Sequence, residues 1–316
     1  MRRLAWALPA AAVALTGCSI GSSAVHVTTQ PNASVPGPAS TGSASSPAAA
    51  ATGKSPESGT SATGRLPAAA ARSATSSLRP RAAAGGGPGW FPATASGPLD
   101  GKVMLVDPGH NGGNFAAPSV INRLIWNGRE SETCDTTGTE TDGGYTEAQF
   151  NWNVARYLTA DLRAEGATVV LTRTSNTGVG PCVTQRAAIG NKAHASAAVS
   201  IHADGGPPGG RGFAILEPVP DGINNAIVGP SARLGTDLRN AFAPGTGEPV
   251  SSYDGVNGIE PRDDLAGINL STVPKVFIEC ANMRNAADAA LVTSPAWQAR
   301  AARAIAAGLT TFVTTR

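Results

Sequence analysis

Two histidines in this chain of 316 residues stand where an apolar run gives way to a loop. His110 closes VMLVDPGH (103–110), in which Pro108 and Gly109 interrupt the run, and His202 sits near the end of AVSIHAD (198–204). Proline and glycine stop a strand's hydrogen-bond ladder, so the side chain that follows is held at the rim of a sheet, where α/β proteins place their chemistry. Between the two lies a helix opening at Thr146-Glu147, with Glu147, Phe150, Val154 and Leu158 at i, i+3, i+7 and i+11. This spacing puts Glu147 on the stripe that faces the sheet, where a carboxylate needs a cationic partner. Two imidazoles and one carboxylate meeting at a rim supply three ligands of a tetrahedral zinc site whose fourth position stays open, as catalytic zinc requires.

Hydrolysis at such a site also needs a proton acceptor. Glu279, in KVFIECANM (275–283), is a carboxylate inside an otherwise apolar strand. Beside a metal it can take a proton from the attacking water. Adjacent strand residues face opposite ways, so Cys280 then points into packing and is a poor nucleophile. Read singly, each residue has an ordinary structural explanation: His110 as a turn residue, His202 as a core histidine and Glu147 as a helix-start carboxylate. Glu279 has one too, as partner of Arg262 or Arg284 in an ion pair. Their coincidence at one edge favours the metal site. His194, among alanines at a helix end, is expected at the surface, and His26 plays no part.

The elements that must position these groups alternate along the chain. Strand-like runs at 103–107, 168–173, 198–204, 213–218 and 275–281 are interleaved with helical periods near 147–166, near 182–195, from about Pro230 to Ala243, and from about Pro295. Strands alternating with helices imply crossovers, and therefore an α/β domain: a twisted, mostly parallel sheet flanked by helices on both faces. The loop at 111–146 is long for a compact domain, and such loops are usually functional or disordered.

The first third of the chain cannot build a core. Residues 19–98 are nearly all Ala, Ser, Gly, Pro and Thr with no apolar period, which predicts a disordered linker before one domain at 99–316. As a flexible coil it would span on the order of 50 Å r.m.s.. Arg2 and Arg3 precede the apolar stretch 4–15 and then Leu15-Thr16-Gly17-Cys18, so residues 1–18 read as an export signal. The tetrapeptide resembles the bacterial lipobox, which makes Cys18 the lipid-bearing first residue of the mature chain and places the domain at the outer face of the bacterial cell membrane, facing the wall. An ordinary signal peptide with a chance cysteine is the alternative.

From Leu99 onward the chain has 17 basic and 21 acidic residues, near −4, which is not the balance of a nucleic-acid binder. Of the four cysteines, Cys134 and Cys182 lie in Gly-, Thr- and Pro-rich loops of an exported domain, while Cys280 lies in an apolar run. A Cys134–Cys182 disulfide is expected, with two free surface thiols as the alternative.

The motifs VDPGHNGGN, GGYTEAQFNWNVARYL, SIHADG and VFIECANMRNAADAAL, the last continued by Val292, together resemble the zinc-dependent N-acetylmuramoyl-L-alanine amidases of bacterial cell walls. The resemblance spans about Lys102 to Thr311. PRDDLAGINL (261–270) and the Cys134/Cys182 pair are similar to secreted actinobacterial members. It implies His110, Glu147 and His202 as Zn²⁺ ligands and Glu279 as the catalytic glutamate. The implied substrate is peptidoglycan or muramyl peptides, cut at the amide between the lactyl group of N-acetylmuramic acid and L-alanine. Arg262 is the candidate substrate-binding residue, and the expected molecule is a monomer held to the membrane through a lipid anchor, with no nucleic-acid partner. Two departures are local. Cys280 follows the catalytic glutamate where many members have a small or polar residue, and only GGPPGGRG (205–212) stands where some members carry a long helical plug, so an uncovered site is expected. The competing readings are a zinc peptidase on another peptide and a non-catalytic wall-binding lipoprotein on the same fold.

Overall fold

A computed structural model describes residues 87–315; the expected signal, Cys18 and most of the expected linker lie outside the described residues. Nine strands can be followed: β1 (Gly89–Phe91), β2 (Val103–Pro108), β3 (Leu124–Trp126), β4 (Ser131–Thr133), β5 (Thr168–Leu171), β6 (Ala197–Asp204), β7 (Ala214–Pro218), β8 (Ile259–Arg262) and β9 (Lys275–Asn282). The helices are α1 (Pro118–Ile121), α2 (Glu147–Ala164), α3 (Val183–Lys192), α4 (Asn225–Thr246), α5 (Ala266–Asn269), α6 (Ala286–Val292) and α7 (Pro295–Thr314). Seven strands form one sheet in the order β1-β5-β2-β6-β9-β7-β8, and β3 and β4 form a separate hairpin. The centre, β5-β2-β6-β9, is parallel throughout, while β1 runs antiparallel to β5 and β7 antiparallel to β9. This is the mostly parallel α/β sheet expected.

The two faces of the sheet differ in chemistry. One is covered by α2, α4 and α7, which bury Phe150, Val154, Leu158, Leu234, Leu238, Trp297, Ile305 and Leu309 against Val106, Val199, Ile201 and Ile278. At about 1.5–3 kcal/mol for each large apolar side chain removed from water, this face carries most of the stabilising burial. The other face, under α3 and α5, has a small apolar patch around Leu105, Val170 and Ala198 and turns polar toward the carboxyl ends of the strands. Asp107, Ser200 and Lys275 are buried there, and His202 and Glu279 lie beyond them.

Two segments depart from the expected organisation. The stretch 87–98, expected to be linker, belongs to the fold, because Gly89–Phe91 adds an edge strand to β5. Three residues between Pro88 and Pro92 are too few for a period, and prolines are tolerated at sheet edges. The helix expected from about Pro230 starts at Asn225 and ends at Thr246, with Pro230 inside it. Asn224 and Asn225 accept backbone N–H groups of Asp221 and Gly222, and this local closure starts the helix one turn early.

The long loop 111–146 is built rather than loose: it contains α1 and the β3–β4 hairpin and is fastened by the Cys134–Cys182 disulfide, with Cα atoms 4.8 Å apart. Cys280 is fully buried, as expected. The sequence separation of 48 residues makes the bridge worth about 4 kcal/mol in the chain-entropy model. Reduction should therefore lower the melting temperature by several degrees; an unchanged transition in reducing buffer would show that the bridge stabilises nothing.

Candidate metal and catalytic site

His110, Glu147 and His202 come together at the carboxyl edge of the sheet. His110 follows β2, His202 is the sixth residue of β6, and Glu147 is the first residue of α2, so each sits where a regular element begins or stops. Glu147 Oε1 lies 3.2 Å from His110 Nε2 and 2.8 Å from His202 Nδ1. The three donors fall within 4.8 Å of one another. Ligands 2.0–2.2 Å from a tetrahedral zinc ion stand about 3.3–3.6 Å apart, inside the range of separations these three donors span. Glu279 faces His202 in register from β9 and shares with it a cavity of about 340 Å³. Its Oε2 is buried and has no hydrogen-bond partner among the described residues. Such an orphaned carboxylate oxygen beside two imidazoles and a second carboxylate fits a site built around a cation.

Close approach of the elements explains two glycines. A Cβ on Gly109 would overlap the His202 ring, and one on Gly138, at φ +73°, would lie 2.6 Å from Glu147 Oε2 and 2.8 Å from His110 Cδ2. His110 itself has φ 55°, a left-handed conformation uncommon for a side chain of its size. Its turn is held by two buried arginines. Arg173 donates to the carbonyls of Pro108, Gly109 and Ala148, and Arg186 to those of Pro108, His110 and Pro181.

Behind the ligands lies a charged layer that sequence reasoning missed. Asp135 Oδ1 lies 3.3 Å from His110 Nδ1, which leaves Nε2 directed at Glu147. A carboxylate on the far ring nitrogen fixes the orientation of a ligating histidine and raises its basicity. Arg186 bridges Asp135 (3.2 Å) and Asp107 (2.9 Å), and Lys275 closes the network on Asp107 at 3.0 Å. Asp107 and Lys275 carried a readable signal, since opposite charges occupy two apolar strands. Asp135 carried none: it lies in a loop without period, and the adjacent disulfide places it. The side-chain amide and backbone partners of Glu147 were equally hidden; Thr139 N–H donates to Glu147 Oε2 at 3.0 Å and Asn151 Nδ2 to Oε1 at 3.2 Å.

The electrostatics follow from this crowding. Burial opposes charge on His110, but Glu147 and Asp135 outweigh it and push the imidazole up to about 10. Burial likewise works against ionised Glu147, yet His110 and His202 hold it well below the usual carboxylate range. Glu279 goes the other way: burial, then Glu147 and Asp204, push it well above that range. Two carboxylates in one cavity with opposed proton affinities are a pattern of acid–base sites, and a cation between them would favour ionised Glu279.

The ion-pair explanation of Glu279 does not hold. Arg262 is engaged by Asp264 at 2.7 Å and Glu260 at 3.3 Å, and Arg284 by Asp142 at 3.0 Å. Arg262 does line the same cavity as Glu279. His194 is exposed, as expected, and outside the site.

Comparison with known proteins agrees with this geometry. Residues 104–311 match the N-acetylmuramoyl-L-alanine amidase family model. The chain belongs to that family. It is 38% identical over 219 residues to the N-acetylmuramoyl-L-alanine amidase Rv3717 of Mycobacterium tuberculosis, covering 69% of this chain and 89% of that protein. The crystal structure of the amidase Ami1 from Mycobacterium smegmatis superposes with a TM-score of 0.66 at 40% identity, covering 69% of this chain and 99% of that one. The apo form of Ami1 from Mycobacterium abscessus gives 0.65 at 39% identity, with 68% and 99% covered. Peptidoglycan amidase activity is thus supported by these relatives. Between Asp204 and Ala214 this member of the amidase family has no helix; Asn282 Nδ2 pins the short connection through the carbonyls of Pro207 and Gly210.

Proposed function

We propose that the chain hydrolyses the amide between the lactyl group of N-acetylmuramic acid and L-alanine of the stem peptide, with zinc held by His110, Glu147 and His202 and with Glu279 as general base. The observation that carries this reading is the buried Oε2 of Glu279, without a hydrogen-bond partner among the described residues, beside His202 on the paired strand and three converging metal donors. A nitrogen- and oxygen-donor set with three protein ligands suits a catalytic zinc ion, which would supply a water of lowered pKa and a Lewis acid for the amide carbonyl.

The chain's own groups do the rest. Asp135 orients the His110 ring, and the Thr139 N–H and Asn151 amide fix the Glu147 carboxylate. Glu279 Oε2 accepts the proton of the attacking water and returns it to the leaving amine of L-alanine, so that the peptide departs neutral at that nitrogen. The glycan keeps the lactyl carboxyl group, which gives the second proton of the water to solvent as it ionises. Intact Glu147 and Glu279 speak against a non-catalytic wall-binding lipoprotein, and the family speaks against a peptidase on another peptide. Digestion of purified wall separates the three: the amidase releases peptides beginning with L-alanine, a peptidase leaves the lactyl–alanine bond intact, and a binding protein releases nothing.

We propose further that the chain is exported, works as a monomer and is tethered by lipid on Cys18 at the outer face of the membrane, a reading supported by the tetrapeptide Leu15–Cys18 and the long polar stretch after it. Cys18→Ala should move the protein from the membrane to the soluble fraction with no change in turnover. A variant that stays with the membrane contradicts the tether.

A further inference from the structure

A second groove adjoins the ligands, with a volume of about 480 Å³, the size of site that takes a drug-sized molecule. Asn111, Phe115, Thr137, Thr139, Glu140 and Arg284 line it, and Thr139 also lines the catalytic cavity. We propose that this groove holds the glycan, with the N-acetylmuramic acid ring stacked on Phe115; the inference rests on the amidase reading above and names the part of the substrate bound there. The lactyl group is joined by an ether to the pyranose, so the sugar must lie within a few bonds of the amide carbonyl. Thr146 and Ala148, on either side of Glu147, line this groove, and Thr139 lines both it and the catalytic cavity, so the two adjoin.

Two observations favour a sugar. Phe115 is 78% exposed, yet its backbone turn is fixed: Asn114 Nδ2 donates to the Thr136 carbonyl at 2.7 Å, and Gly113 N–H to the Gly178 carbonyl at 2.9 Å. An exposed aromatic face on a fixed backbone turn, negative at its centre, attracts the C–H face of a pyranose. Asn111 is 2% exposed, and neither its Nδ2 nor its Oδ1 has a partner among the described residues. The amide sits against Gly180, behind the groove wall, so Asn111 shapes that wall without offering the sugar a hydrogen bond. Charge points the same way. Arg284 is paired with Asp142 at 3.0 Å and donates to the Glu140 carbonyl at 3.4 Å, so the positive charge at this groove is partly offset by an acidic neighbour. The other recess beside the ligands, between Val183, Leu265 and Phe277, has only about 130 Å³, too little for an acetylated hexosamine.

The test compares full-length wild type, Phe115→Ala and Phe115→Trp. Binding of a peptide-free N-acetylglucosamine–N-acetylmuramic acid disaccharide is measured by calorimetry, and turnover is measured on muramoyl dipeptide and on lactoyl dipeptide without the sugar. Phe115→Ala should weaken disaccharide binding and raise KM for muramoyl dipeptide by roughly five- to tenfold. It should leave lactoyl dipeptide kinetics and the melting temperature unchanged, and Phe115→Trp should restore binding. Unchanged disaccharide affinity in Phe115→Ala overturns the proposal, as does an equal loss on both dipeptides, which would place the peptide in the groove. If wild type turned over neither dipeptide the amidase reading would fail, and the disaccharide titration would still decide this one.

Discussion

Glu279→Gln should retain near-stoichiometric zinc and the wild-type melting temperature while losing at least about 10²-fold in kcat on muramyl peptide. The amide keeps the volume of the carboxylate, and the flanking Ile278 and Cys280, fully buried on the opposite side of the strand, are left as they are, so no cavity opens. It cannot accept a proton. Its substitution even removes a burden from the fold, because Glu279 is a buried acid whose ionised form is disfavoured by burial, Glu147 and Asp204. The sign of the linkage follows: a carboxyl raised in the folded state costs stability as pH climbs above its unfolded value, so Glu279→Gln should be at least as stable as wild type in metal-free protein near neutrality. Turnover and metal content read from one preparation check the claim. An emptied site would make Glu279 a ligand, and full activity would remove it from the mechanism.

His110→Ala, Glu147→Ala and His202→Ala should behave in the opposite way, each losing zinc and activity together. Two remaining protein ligands bind the ion poorly, and even disturbing groups behind a ligand commonly costs about 10- to 100-fold in affinity. Loss of Glu147 should be the most severe. Its carboxylate is the only negative group in the ligand set and the common neighbour of both imidazoles, at 3.2 and 2.8 Å, so the two histidines would lose the charge that stands between them, leaving Asp135 behind His110 and Glu279 across the cavity. Metal analysis after exhaustive dialysis, with competition against a chelator, gives the ranking. A ligand variant that kept both zinc and turnover would place the metal elsewhere.

The residues of this site were legible because they interrupt patterns. His110 and His202 end apolar runs, Glu147 breaks the apolar stripe of α2, and Glu279 is the one acid in KVFIECAN. Alternation of strands and helices likewise gave the parallel centre of the sheet. The parts that were not legible are short or depend on contacts distant in sequence. β1, β3, β4 and β8 have three or four residues each, below the length at which a period can be recognised, and β8 contains Pro261 at the edge of the sheet. Asp135 reaches His110 only because the Cys134–Cys182 bridge and Arg186 draw the long loop across the end of β2. Phe115, on a three-residue turn, gave no signal of any kind before its exposure beside the site was seen.

The reaction itself is tested most directly by hydrolysing purified peptidoglycan in heavy-oxygen water and locating the label by mass spectrometry. Water attack on the lactyl carbonyl puts one heavy oxygen into the lactyl carboxylate of muramic acid and releases unlabelled peptides that begin with L-alanine. Label found instead in a peptide carboxylate, with the lactyl–alanine bond intact, would contradict the proposed amidase and make the chain a peptidase.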